Sequence, residues 1–148
     1  MFGTIFRDSR LVTGVMLLSA LLSGQALAAD SEDAAAYDQH YPEIKYPLLR
    51  KAIDAGEVFL IDANSTETYQ KGHLPSARSI TNRKKLEGEL PVLKNYPIAV
   101  YCGGPQCSAW HSAADFAAAR GYTNVMHFKG GLKVWKEQGD TLSTGSGS

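Results

Sequence analysis

An α/β domain, a parallel central sheet with helices on both faces, is predicted by three observations. The runs Val58-Phe59-Leu60-Ile61 and Ile98-Ala99-Val100-Tyr101 have strand length and no polar interruption, the pattern of strands buried on both sides. Segments with helical apolar spacing alternate with such runs along the chain. The two runs lead into Asp62 and Cys102, and open parallel sheets gather their reactive groups at the carboxyl ends of strands.

Taken in order, Pro47 to Ala55 is predicted as a helix with Leu48, Leu49, Ala52 and Ile53 on one face and Gly56 as its stop. Val58 to Ile61 is the first strand. Ser65 or Thr66 offers a side-chain oxygen to the free amides of a short helix through Lys71, with Gly72 as its exit. Glu67 is expected to form hydrogen bonds within that helix. Ala77 to Ile80 reads as a further short strand, and the basic run Arg83-Lys84-Lys85 as a solvated loop. Ile98 to Tyr101 delivers Cys102, and the Ala-rich stretch Ser108 to Arg120 is the longest helix, closed by Gly121. Asn124 to Phe128 gives another strand. Gly130-Gly131 opens a last helix carrying Leu132, Val134 and Trp135.

The ends of this chain of 148 residues have a different character. Arg7 and Arg10 precede an apolar run from Leu11 to Leu22, and Ala26-Leu27-Ala28 matches the small-x-small cleavage pattern of a secretory leader. A signal peptide at 1–28 is expected, cleaved near Ala28, with a periplasmic or secreted product and no stable membrane anchor after cleavage. A flexible segment at 29–43, one domain at 44–139 and a disordered Gly/Ser-rich tail at 140–148 complete the expected organisation. The chain carries 15 basic and 15 acidic residues; without Arg7, Arg10 and Asp8 the remainder is 13 against 14. That balance argues against nucleic acid as a partner.

Cys102-Gly103-Gly104-Pro105-Gln106-Cys107 is the stretch that carries chemistry. A cysteine between a strand and a helix N-terminus sits where backbone N–H groups converge and the helix dipole favours an anion. Such surroundings lower a thiol's pKa from its usual value of about 8.5 and make it a nucleophile. Gly103 and Gly104 allow a tight turn, and Pro105 stiffens it. Cys107 is a second thiol in the same loop. It suits either a resolving role toward Cys102 or a static Cys102–Cys107 disulfide in an oxidising compartment.

Four segments together resemble the rhodanese-like domain family of sulfurtransferases. Phe59-Leu60-Ile61-Asp62-Ala63-Asn64 is similar to the family's strand ending in Asp-x-Arg, and Glu67 to Ala77, with Gly72-His73-Leu74-Pro75, to its Glu-x-x-x-x-Gly-His-Ile-Pro-Gly-Ala signature. Val100-Tyr101-Cys102 is similar to the strand bearing the active cysteine. Gly121-Tyr122-Thr123-Asn124-Val125, then Gly130-Gly131 and Trp135, resembles the closing Gly-Tyr-x-x-Val and Gly-Gly-x-x-x-Trp. The resemblance implies transfer of sulfane sulfur through a persulfide on Cys102, with the loop Gly103, Gly104, Pro105, Gln106, Cys107 and Ser108 wrapped around the sulfur. The donor is expected to be a small sulfur-containing anion such as thiosulfate, and the acceptor a thiophile such as a protein thiol. A related branch holds oxyanions with Cys-x-x-x-x-x-Arg, but Ser108 occupies that Arg position here.

The chain departs from the family pattern at Asn64, where the family has Arg, and at Gln106 and Cys107, which bring no basic side chain to the loop. Supporting roles are expected for three residues: Asp62 as an anchor of loop backbone or a cap of the next helix, His73 as a hydrogen-bonding turn residue, and His111 as a thiolate partner or a surface histidine. Trp110 and Trp135 are expected to pack in the core, Trp110 close enough to line a cleft. No Cys-x-x-Cys pair occurs, and His40, His73, His111 and His127 are scattered, so neither metal nor cofactor is expected. Two further readings stand beside the transferase: a Cys102–Cys107 thiol/disulfide redox module, and a non-catalytic binding domain of the same fold.

Overall fold

Four parallel strands, β1 (Phe59–Asp62), β2 (Arg78–Ser79), β3 (Ile98–Tyr101) and β4 (Val125–His127), form one sheet in the order β2-β1-β3-β4 in the computed structural model, which describes residues 35–146. The expected leader at 1–28 lies outside the described residues. In chain order the elements are α1 (Tyr46–Ala55), β1 (Phe59–Asp62), α2 (Thr66–Lys71), β2 (Arg78–Ser79), α3 (Arg83–Glu89), β3 (Ile98–Tyr101), α4 (Trp110–Ala118), β4 (Val125–His127) and α5 (Gly131–Glu137). The register sets Phe59 beside Ile98 and Asp62 beside Tyr101, so Cys102 lies one residue past the paired strand ends.

Alternation along each strand divides the core into two layers. Ile61, Ile98, Val100 and Val125 point to one side, where Leu86 of α3 and Trp110, Ala113, Ala114, Phe116 and Ala117 of α4 cover them. Leu60, Ala99 and Tyr101 point to the other, under Leu49 of α1, Tyr69 of α2 and Leu132 and Trp135 of α5. Cys102 continues the parity of Val100 and is buried in the α3/α4 layer.

Several element ends follow from local chemistry. Ser65, not Thr66, caps α2: its hydroxyl accepts from the Thr68 amide at 3.2 Å. Gly56 closes α1 in the left-handed region at φ 68°, where glycine carries no Cβ penalty. The expected helix Ser108 to Arg120 is shorter, because its ends tighten into three-residue turns, His111 N–H to Ser108 O at 3.1 Å and Arg120 N–H to Ala117 O at 3.0 Å.

Four sequence expectations are corrected. Arg83-Lys84-Lys85 is not a loop but the first turn of α3, capped by the Asn82 side chain on the Lys85 amide at 3.1 Å and anchored by buried Leu86. Leu48 does not share the buried face of α1; it is 64% exposed while Leu49 is fully buried, since adjacent helical positions point about 100° apart. The tail expected to be disordered from 140 is ordered through 146. Thr141 O accepts the Trp135 indole N–H at 3.0 Å, and Ser143 exchanges backbone bonds with His73 at 2.9 Å. Leu142 meanwhile packs on Gly72, where a Cβ would lie 2.7 Å from its Cδ1. The segment expected to be flexible through 43 is helical over 35–40 and buries Tyr41, with Pro42 O accepting the His127 amide at 2.9 Å.

A buried polar chain ties the strand ends together on the α1/α2/α5 side. The Tyr101 hydroxyl donates to Asp62 Oδ2 at 2.6 Å and accepts the Leu74 amide at 3.0 Å. Asn64 gives both its backbone and its side-chain N–H to Asp62 Oδ1 at 2.7 Å. Burial pushes the Asp62 carboxyl up against those hydrogen bonds, and pushes the Tyr101 phenol well up, helped by the Asp62 charge. Tyr101→Phe leaves a carboxylate oxygen and an amide without their partner in a buried site, so the fold is expected to lose about 1–3 kcal/mol in urea unfolding. A loss below about 0.5 kcal/mol would show that this chain carries no stability.

Candidate active site

The loop after β3 is clamped from below by the start of α5. Cys102 O accepts the Leu132 amide and Gly103 O the Lys133 amide, both at 3.0 Å. Gly131 makes this approach possible: it sits at φ 55°, and a Cβ there would lie 2.2 Å from Cys102 O and 2.8 Å from Gly104 N. No side chain fits that gap. Within the loop, the Cys107 amide turns back to Gly104 O at 3.1 Å. The amides of Gly103, Gly104, Gln106 and Ser108 donate to no acceptor among the described residues, which leaves them available to a charged sulfur.

Cys102 and Cys107 are joined as a disulfide with their Cα atoms 6.3 Å apart, a normal span for such a bridge. Cys102 is 1% exposed, whereas Cys107 is half-buried. In this state no thiolate exists at Cys102, and the nucleophile expected from the loop pattern is buried. Pro105, Gln106, Cys107 and Ser108 form one wall of a cleft of about 220 Å³, and Trp110, His111, His127, Lys129 and Asp38 form the others.

The other site residues expected from the sequence fall in two places. Asp62 is fully buried but reaches neither the loop amides nor the cap of α2; its bonds go to Asn64 and Tyr101. Asn64 stands beside the loop instead, its Oδ1 3.8 Å from where a Cβ on Gly103 would be. His73 holds its turn: Nδ1 is 2.8 Å from Tyr69 O and the ring stacks on Tyr69 at 3.9 Å. Glu67 is exposed and pairs with Lys71. His111 lines the cleft and stacks on Tyr37 at 3.9 Å, nearly parallel at 8°. Arg78 pairs with Glu89 at 2.9 Å, and Arg83 lies over the Phe116 ring.

The cleft also holds residues to which the sequence reading gave no role. His127 is 2% exposed and stacks on Trp110 at 3.7 Å, yet neither ring nitrogen has a hydrogen-bond partner among the described residues. Asp38 Oδ1 lies 3.8 Å from Nδ1, and Asp38 Oδ2 accepts from Lys129 at 2.7 Å. Strand alternation from Val125 places His127 on the inward face, which is the signal that would have found it. Lys133 packs its stem on Gly104, its Cβ 3.4 Å from where a glycine Cβ would be. Lys129 and Lys133 thus bring cations near a loop that has none of its own.

Residues 46–138 match the rhodanese-like domain, and the chain belongs to the rhodanese-like domain family. It is 30% identical over 99 residues to an HTH-type transcriptional regulator of Mycobacterium tuberculosis. That match covers 67% of this chain and 43% of the regulator, so the chain spans less than half of that relative. It is 24% identical over 84 residues to the thiosulfate sulfurtransferase GlpE of Pseudoalteromonas translucida, covering 57% of this chain and 78% of that one. Among solved structures, a Bacillus halodurans protein superposes with a TM-score of 0.58 at 22% identity, over 81% of this chain and 88% of that chain. The human single-domain sulfurtransferase superposes with a TM-score of 0.54 at 20% identity, over 66% and 96%. Both structural likenesses concern the fold.

Burial holds the His127 imidazole down, to about 4, against the opposing pull of Asp38 and Glu43 and with help from Lys129 and His111. An unfolded His binds its proton near pH 6.5, so between pH 6.5 and 4 the unfolded chain holds more protons than the folded one. The His127 contribution to stability is therefore complete above about pH 6.5 and is lost as pH falls toward 4, by roughly 1–3 kcal/mol. His127→Phe, which keeps a ring against Trp110, is expected to flatten this part of a plot of unfolding free energy against pH. Identical slopes for both proteins would show that His127 is not the titrating group.

Proposed function

We propose that this chain is a sulfurtransferase that carries sulfane sulfur as a persulfide on Cys102, and that the Cys102–Cys107 disulfide is its closed, oxidised form. The observation that carries the reading is the position of Cys102: it follows the central strand β3 at the head of a loop whose amides are unused and whose backbone is clamped on α5. After reduction, the Cys102 thiolate attacks the outer sulfur of thiosulfate, forming Cys102–S–S⁻ and releasing sulfite. A thiophilic acceptor then takes the outer sulfur and restores the thiolate. Loop amides stabilise the anionic sulfur through both steps without a metal. Family membership and the likeness to a thiosulfate sulfurtransferase support the class of reaction. The leader pattern and the loop disulfide together favour an oxidising compartment, periplasmic or extracellular.

A second reading is favoured by the joined cysteines themselves. In it the pair cycles between dithiol and disulfide and exchanges electrons with a partner thiol.

Reduced protein mixed with thiosulfate is expected to gain the mass of one sulfur atom. Oxidised protein should gain nothing, Cys102→Ser should gain nothing, and Cys107→Ser should keep the gain. If reduced wild-type protein takes no sulfur from thiosulfate or from an organic persulfide, the transferase reading falls and the dithiol–disulfide reading remains.

A further inference from the structure

We propose that the loop disulfide is opened from the Cys107 side: an external thiolate enters the cleft beside α4, attacks Cys107 Sγ and expels Cys102 Sγ as the free thiolate. This rests on the reading above, in which reduction of the pair precedes sulfur transfer.

Disulfide exchange proceeds by attack on one sulfur with departure of the other, so access and leaving-group stability decide which cysteine takes the incoming thiol. Access favours Cys107. It is half-buried and lines the open cleft together with Gln106, Ser108, His111 and Lys129. Cys102 does not line that cleft, is 1% exposed, and is packed in the core layer of Ile61, Val100, Trp110 and Ala113. An incoming thiolate in the cleft therefore meets the Cys107 residue first, with Cys102 enclosed in the core layer.

The leaving group points the same way. Cys102 heads the loop whose amides at Gly103, Gly104, Gln106 and Ser108 donate to no acceptor among the described residues, so they are free to turn toward a thiolate released there. A more stable thiolate departs faster. Lys129 lines the same cleft as Cys107, its ammonium held by Asp38 at 2.7 Å. His127, whose ring nitrogens have no hydrogen-bond partner among the described residues, lines the same cleft.

The atoms balance in two steps. R–S⁻ and the intramolecular disulfide give R–S–S–Cys107 and Cys102–S⁻, with one S–S bond formed and one broken. A second thiolate then attacks the R sulfur, giving R–S–S–R and the Cys107 thiolate, and the two electrons have passed to the protein. The sulfur-carrying thiolate of the proposed reaction is thus freed in the first step, while Cys107 still bears the adduct.

The test uses the oxidised wild-type chain and glutathione. After brief exposure the reaction is quenched with acid, free thiols are alkylated, and the loop peptide is sequenced by mass spectrometry. The expected species has one glutathione on Cys107 and the alkyl group on Cys102. The reverse labelling overturns the inference while leaving reductive opening intact. A disulfide that no thiol opens overturns the reading beneath it as well, and the inference with it. In single-cysteine variants the sole thiol of Cys102→Ser should react with a bulky aromatic disulfide reagent faster than that of Cys107→Ser; equal rates also count against the proposal.

Discussion

One close approach governs the site: the backbone of Gly131 lies against the carbonyl of Cys102 at a distance that admits no side chain. That approach lets the next two amides of α5 bond to Cys102 O and Gly103 O. The position of the loop is therefore inherited from α5, whose Leu132 and Trp135 are buried in the core. Trp135 is in turn fixed by its indole bond to Thr141, so the C-terminal segment contributes to the geometry of a loop some forty residues earlier in the chain.

The two faces of the sheet treat buried polar groups in opposite ways. On the α1/α2/α5 side, Asp62, Tyr101, Asn64 and the Leu74 amide satisfy one another, and the result is a rigid knot at the strand ends. On the α3/α4 side, His127 is almost as buried, yet its two ring nitrogens have no hydrogen-bond partner among the described residues. A buried donor or acceptor without a partner is costly, so the His127 ring beside the cysteine loop leaves hydrogen-bonding capacity unused in the folded chain. The cleft that contains it is assembled from the cysteine loop, the first turn of α4, the end of β4 and the segment around Asp38. Those parts are distant in sequence and meet only because β3 and β4 are neighbours.

The charge of the site is arranged in the same indirect fashion. A loop without basic residues and an Asn at position 64 leave its backbone amides as the donors nearest to hand, while Lys129 and Lys133 approach from β4 and α5. Arg78 pairs with Glu89, and Arg83 lies over the Phe116 ring.

Strand runs such as Ile98–Tyr101, the capping Ser65, the stop at Gly56 and the placement of Cys102 after a strand were all legible in the chain, because each depends on neighbours within a few residues. The same holds for the four ordered segments that mark the family. Helix α3 was not legible: its basic residues look like a loop until Leu86 finds a core to enter. Nor was the difference between the two cysteines. In the chain Cys102 and Cys107 are two thiols bracketing the same short loop, and nothing local says which is reachable. Only the packing of Ile61, Val100 and α4 around one of them, and the opening of a cleft against the other, separates the fully enclosed cysteine from the half-buried one. Burial is a property of what surrounds a residue, and those surroundings come from parts of the chain that touch only after it has folded.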